Sequence, residues 1–148
     1  MKTILVPVDL SAATRRVCDA ARALAKLVHA RLILVNVVLP QPVYPGDFFA
    51  YDAGAVAAAA AADEKRADRR LKTLAGRYGG KKMPVETWRS TGHPPWEILK
   101  YAAARKAHYI VIGSHGHGAA YDLLIGSVAQ GVLRRARCPV LVIPTKRR

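Results

Sequence analysis

Short apolar runs rich in β-branched residues recur along the chain, and stretches of helical spacing separate them. Thr3–Val8 (TILVPV), Arg31–Val38 (RLILVNVV), the segment HYIVIGS from His108 and the closing CPVLVIP from Cys138 are each largely apolar. A strand of that kind is covered on both faces, as in a parallel sheet flanked by helices. MPVETW, from Met83, is a weaker strand candidate. Between these runs, AATRRVCDAARALAKLVHA places Val17, Ala20, Ala21, Leu24, Leu27 and Val28 on one helical face. The alanine-rich AVAAAAAADEKRADRRLKTLAGRYGG has high helix propensity, carries Leu71 and Leu74 at helical spacing, and stops at Gly79-Gly80. A third helix opens on Pro94-Pro95, with Trp96, Ile98, Leu99, Tyr101 and Ala102 behind it. SVAQGVLRRA forms a fourth, and Arg134, Arg135 and Arg137 at its end suit the helix dipole. The order β-α-β-α-β-α-β-α-β predicts an α/β fold: an open five-stranded parallel sheet with helices on both faces, Rossmann-like, in a single domain over 1–148.

Bulk properties narrow the class further. The 148 residues suffice for a core, and 51% of them are hydrophobic, which excludes a disordered chain. No apolar run reaches membrane-spanning length. The opening MKTILVPVD is too short for a secretory signal and lacks a small-residue cleavage site, so a cytoplasmic location is expected. Cys18 and Cys138 are then expected to be buried thiols, with neither a disulfide nor a metal site between them. The segment LPQPVYPGDFFAYD breaks every periodic pattern and reads as a loop, with Phe48, Phe49 and Tyr51 tucked onto the core. Trp88 and Trp96 read as packing residues.

In open parallel sheets, ligands sit outside the carboxyl ends of the strands, where the strand order reverses. Pro7-Val8-Asp9 ends the first strand and Gly113-Ser114 ends the fourth. In the order 3-2-1-4-5 these two ends share one crevice. The stretch GSHGHGAAYDLLIGS, beginning at Gly113, concentrates glycine at that place. Glycine admits close backbone approach and left-handed conformations, and exposed amides form anion-binding concavities. Gly126-Ser127 opens a helix, whose first amides and dipole favour phosphate. Gly113, Gly116, Gly126 and Ser127 thus make a candidate polyphosphate cradle, with a base and sugar beside Asp9. Asp9 is read as a ligand contact in preference to a helix cap alone.

Two commoner phosphate motifs are absent. The Walker A pattern requires Ser or Thr after Gly-Lys, and Lys82 follows Gly80-Lys81. The dinucleotide pattern G-x-G-x-x-G begins at Gly116 and Gly118 but meets Tyr121 where its last glycine belongs. His115 and His117 form an H-x-H pair with only Asp122 near in sequence, so no metal site is expected.

The spacing G-x2-G-x9-G-[ST], met by Gly113, Gly116, Gly126 and Ser127, combines with ILVPVD, IVIGSHG and CPVLVIP. Together these resemble the nucleotide-binding branch of the universal stress protein family, from about Thr3 to Pro144. The resemblance implies the strand order above, ATP with Mg2+ as ligand, and a role in stress response through the nucleotide-bound state. It implies that Pro7, Val8 and Asp9 line the adenine and ribose end and that Val37 contacts the base. Ile112 and Gly113 would border the ribose, Gly116 the phosphates, and Gly126, Ser127 and Val128 would hold the phosphates. It also implies a homodimer through the last strand, Val140, Leu141, Val142 and Ile143, which would cover an otherwise exposed apolar edge. His117 stands where the family often has Arg or Lys, and His108 where it usually has Asp.

Two other function classes are weighed against this one. The net charge of +14 would suit a nucleic-acid-binding module, but the basic residues are spread over several elements and are not interleaved with aromatics. A slow ATPase is the other alternative; no catalytic base, nucleophile or arginine finger is placed by the sequence.

Overall fold

The computed structural model describes residues 1–40, 53–81, 83–115 and 125–145. The elements follow the expected alternation: β1 Lys2–Pro7, α1 Thr14–Val28, β2 Ala30–Val38, α2 Ala53–Tyr78, β3 Val85–Thr91, α3 Pro94–Ala104, β4 Tyr109–Gly113, α4 Ser127–Leu133 and β5 Val140–Ile143. All strand pairings are parallel, in the order β3-β2-β1-β4-β5. The sequence reading of the α/β fold and its strand order is borne out.

Alternation along the strands sorts their apolar side chains onto two cores. Ile4, Val6, Leu32, Leu34 and Val111 meet Val17, Cys18 and Ala21 of α1 and Leu71 and Tyr78 of α2. Leu5, Ile33, Val35, Ile110 and Ile112 meet Ile98 and Ala102 of α3 and Ala129 and Val132 of α4. Both faces of the sheet are therefore covered, which is why β1 and β2 carry continuous apolar runs.

Three sequence expectations shift. The buried face of α1 is Thr14, Val17, Cys18, Ala21 and Ala25. Small residues there let the helix lie close to the sheet, and Leu27, roughly 240° around the helix from Ala21, is 79% exposed. Trp88 packs, stacked on Tyr101 at 4.0 Å between ring centroids, but Trp96 is 65% exposed. The third strand begins after Pro84, which has no amide to give to a ladder, and runs on through Thr91 because β2 offers partners as far as Val38. Phe48, Phe49 and Tyr51 lie outside the described residues. Cys18 is buried and Cys138 half-buried, both as free thiols.

Candidate functional site

The strand order reverses between β1 and β4, and a cavity of about 720 Å³ opens at the carboxyl ends there. Small-molecule pockets span roughly 300–1,000 Å³. Pro7, Val8, Asp9, Val37, Ile112, Gly113, Gly126, Ser127 and Val128 all line it. Gly116, His117 and Asp122 fall outside the described residues.

One wall is the turn from β1 into α1. Asp9 Oδ1 accepts hydrogen bonds from the Ser11 amide at 3.0 Å and from Thr14 Oγ1 at 3.2 Å, and Ser11 Oγ accepts from the Ala13 amide at 3.2 Å. Asp9 therefore shapes the turn as well as facing the crevice. Between Asp9 and Ser11, Leu10 is left-handed at φ 60° with its side chain buried. Such a conformation costs a bulky residue about 1–2 kcal/mol. Burial of the side chain and the hydrogen bond from Arg70 of α2 to the Leu10 carbonyl hold it.

The second wall is the end of β2, where two hydrogen-bonding patterns part. Even-numbered residues of β2 bond toward β3: the Leu32 amide reaches Pro84 and the Val38 carbonyl accepts from Gly92. Odd-numbered residues turn toward β1, and the Val35 carbonyl accepts from the Val8 amide at 2.8 Å. The next bond of a continued parallel ladder would join the Val37 amide to the Val8 carbonyl. In its place the Asn36 side chain intervenes, donating from Nδ2 to the Val8 carbonyl at 2.9 Å. The Val37 peptide group is left on the β1 side of β2 at the point where β1 has ended. Asn36 is 5% exposed, lines the crevice, and its Oδ1 has no hydrogen-bond partner.

The third wall joins the ends of β4 and β5 to the start of α4. The Ser114 amide donates to the Ile143 carbonyl and the Gly126 amide to the Ser114 carbonyl, both at 2.7 Å. Ser114 Oγ accepts from the Thr145 amide at 3.2 Å and lies 3.0 Å from His115 Nδ1. His115 Nε2 is buried without a partner.

Here the reason for glycine differs from the sequence expectation. Neither Gly113 nor Gly126 is left-handed; among the described glycines only Gly92 has positive φ. At Gly113 a Cβ would lie 2.8 Å from Thr145 Cγ2 and 3.2 Å from Val17 Cγ2, so glycine is required by packing of the protein on itself. At Gly126 a Cβ would lie 3.2 Å from the Ser114 carbonyl oxygen. The Gly126 amide, expected to be open to an anion, is engaged by Ser114. The open donors are those of the first turn of α4, which have no intrahelical acceptor, together with the exposed Ser127 hydroxyl.

Sequence reading placed Ser114 at this crevice, where it lies, but missed Asn36, His115 and Thr145 as lining residues. For Asn36 a signal existed: it interrupts an otherwise apolar buried strand, and a buried amide needs a reason. For Thr145 there was none, because its place depends on β5 lying beside β4. Among the described residues, burial or ion pairing displaces the ionisation of Cys18, Tyr78, Arg89 and Cys138, none of which lines the crevice. Among the described residues no cluster of His, Cys, Asp and Glu could hold a metal ion. The walls supply an apolar slot, unengaged donors and a helix start.

A family model described as the universal stress protein family matches residues 1–144. A universal stress protein of Thermus aquaticus is 33% identical over 142 residues, covering 96% of this chain and 98% of that protein. A solved structure from Burkholderia pseudomallei, described as from the universal stress protein family, superposes with a TM-score of 0.73 at 30% identity, covering 97% of this chain and 96% of that one. A universal stress protein solved in complex with cAMP superposes with a TM-score of 0.69 at 26% identity, covering 98% of each.

Proposed function

The chain belongs to the universal stress protein family, and on that premise we propose that it is an ATP-binding regulatory protein acting in stress response through its nucleotide-bound state. The observation that carries the reading is the crevice of about 720 Å³ at the reversal of strand order, which gathers every described residue expected to bind nucleotide. The complex of a related protein with cAMP supports an adenine nucleotide as the ligand class.

In this reading Pro7, Val8 and Asp9 line the base and ribose end, Val37 meets the base, and Ile112 and Gly113 border the ribose. Gly116, Gly126, Ser127 and Val128 hold the phosphates, with the first amides of α4 as donors. The residues fit such a ligand: the slot is mostly apolar, and the unengaged polar groups are few. The phosphates of a bound nucleotide would carry Mg2+, an ion that keeps much of its water and needs few protein ligands. Residues 1–148 act as one nucleotide-binding domain in the cytoplasm, paired as a homodimer along the exposed edge of β5, where Leu141 stands 43% exposed. No helix among the described residues is long and apolar enough to cross a membrane. The chain's own contribution is binding and positioning: Asp9 Oδ1 is committed to Ser11 and Thr14, and His115 Nδ1 lies against Ser114.

The test is acid extraction of the purified protein to identify co-purified nucleotide, then calorimetric titration with Mg-ATP. Gly126→Val, which pushes a branched side chain against the Ser114 carbonyl at the mouth of α4, is expected to weaken ATP at least tenfold. Equal ATP affinity in this variant and the parent would refute the phosphate assignment.

A further inference from the structure

We infer that a second basin, on the α3 and α4 side of the sheet, is a docking surface for an acidic amphipathic helix of a partner protein. The basin has a volume of about 860 Å³ and lies between α3 and the segment that leads from α4 into β5. It shares no lining residue with the crevice at the strand ends.

Its floor is apolar. Trp96 is 65% exposed where α3 begins. A single exposed apolar side chain means little, but Trp96 is not single. Leu99 and Ala103 follow it at helical spacing on one face of α3, and Ala107 continues the row past the helix end. Ala102 and Ile110 lie beneath, and Cys138, half-buried, belongs to the opposite wall. The rim is cationic. Lys100 and Lys106 stand on the α3 side, Arg135 and Arg137 beyond the end of α4, and all four are exposed. Lys100 lies 3.9 Å from Glu97, whose other oxygen accepts from Ser90. Among the described residues Lys106, Arg135 and Arg137 make no ion pair, and no carboxylate lines the basin. An exposed Trp beside unpaired Arg is the composition of a binding hot spot.

An occupant must therefore be acidic outside and apolar within. A second copy of this chain, at +14, brings the wrong sign. Single-stranded nucleic acid brings the right sign, but its base edges would meet Leu, Ala and Ile side chains that satisfy none of their polar groups. Successive bases also stack on several aromatic rings, and Trp96 is the one aromatic residue lining the basin among those described. An amphipathic helix satisfies its own backbone, presents apolar anchors every three or four positions and carries acid on its flanks. The small side chains of Ala103 and Ala107 let such a helix approach α3 closely.

The test uses the purified full chain and a labelled synthetic peptide of about fifteen residues, with leucine at i, i+3, i+4 and i+7 and glutamate elsewhere, titrated by fluorescence anisotropy. Saturable one-to-one binding is expected, with alkylation of Cys138 slowed and buried Cys18 as the internal reference. Trp96→Ala and Ala103→Glu are each expected to weaken the peptide at least tenfold. Ala58→Glu, the same charge change at an exposed position of α2, is expected to leave it within about twofold. Lys106 is left-handed at φ 47°, at a helix end where glycine is favoured. Lys106→Gly therefore removes a rim charge without harming the fold, and is expected to weaken the peptide at an undiminished urea midpoint. ATP affinity in Ala103→Glu is expected to match the parent. A peptide with lysine for every glutamate is expected not to bind. No binding of the acidic peptide by the parent, unchanged affinity in Trp96→Ala and Ala103→Glu, or equal loss in Ala58→Glu would overturn the inference. Displacement of the peptide by an equimolar thymidine oligonucleotide would assign the basin to single-stranded nucleic acid and overturn it likewise.

Discussion

The two ends of the sheet handle their polar groups in opposite ways. At the amino ends of the strands they are tied to one another. The Thr3 amide donates to His108 Nδ1 at 3.2 Å, and the His108 amide returns a bond to the Thr3 carbonyl at 2.9 Å. Arg31 reaches Thr3 Oγ1 at 3.1 Å and Glu86 at 2.8 Å, and Arg105 also pairs with Glu86. Arg105 Nε is the exception left without an acceptor there. At the carboxyl ends, the first turn of α4 borders an open slot, and Asn36 Oδ1 and His115 Nε2 are buried near it without partners. Both ends descend from the same strands and the same alternation. The difference teaches that the amino end closes on itself, whereas the carboxyl end leaves a slot open where the strand order reverses.

The most disruptive way to break this contrast is to fill the carboxyl end. Gly113→Val would drive a branched side chain into Thr145 and Val17. Overpacking of this kind costs about 1–3 kcal/mol. The expected result is a lower urea midpoint and loss of nucleotide binding together, read by chemical denaturation and calorimetry.

Alkaline pH touches neither end and so serves as the control. Burial, with Asp19 nearby, pushes the Cys18 thiol from 9.0 to about 12. Burial and a hydrogen bond to Asp19 push the Tyr78 phenol from 10.0 to about 12. Both groups hold their protons more tightly when folded, so their contribution is complete below the unfolded values. It declines as pH rises from about 9 toward 12. Urea midpoints compared at pH 8 and above pH 10 should fall with pH, and Cys18 should resist alkylation at pH 8 more than Cys138.

At the amino end, His108→Ala removes the acceptor for the Thr3 amide. A loss of about 1 kcal/mol in stability is expected, with ATP affinity unchanged. Altered ATP affinity would show that the two ends are not independent. The smallest effect belongs to Glu86→Gln. Its partners are about one-third exposed, and pairs of that kind contribute about 0.2–1 kcal/mol. Denaturation in low and high salt should show the variant and parent converging as salt rises.

The sequence alone determined the α/β alternation, because strands covered on both faces must be apolar throughout and helices covered on one face must be amphipathic. It also pointed to residues that line the crevice, since strand ends and glycine clusters can be read in one dimension. It misjudged Leu27, on a helix whose buried face is made of small residues, and Trp96, which lies about 200° around α3 from the buried Ile98. Only the tertiary structure decided why Gly113 must be glycine: Thr145 and Val17 reach it from β5 and α1, at distances in sequence that no local pattern encodes. Only the structure showed that the Gly126 amide is already engaged, and that the Asn36 side chain replaces a ladder bond to the Val8 carbonyl. Hydrogen bonding is pairwise, and which groups are left over is known only when every partner has its place.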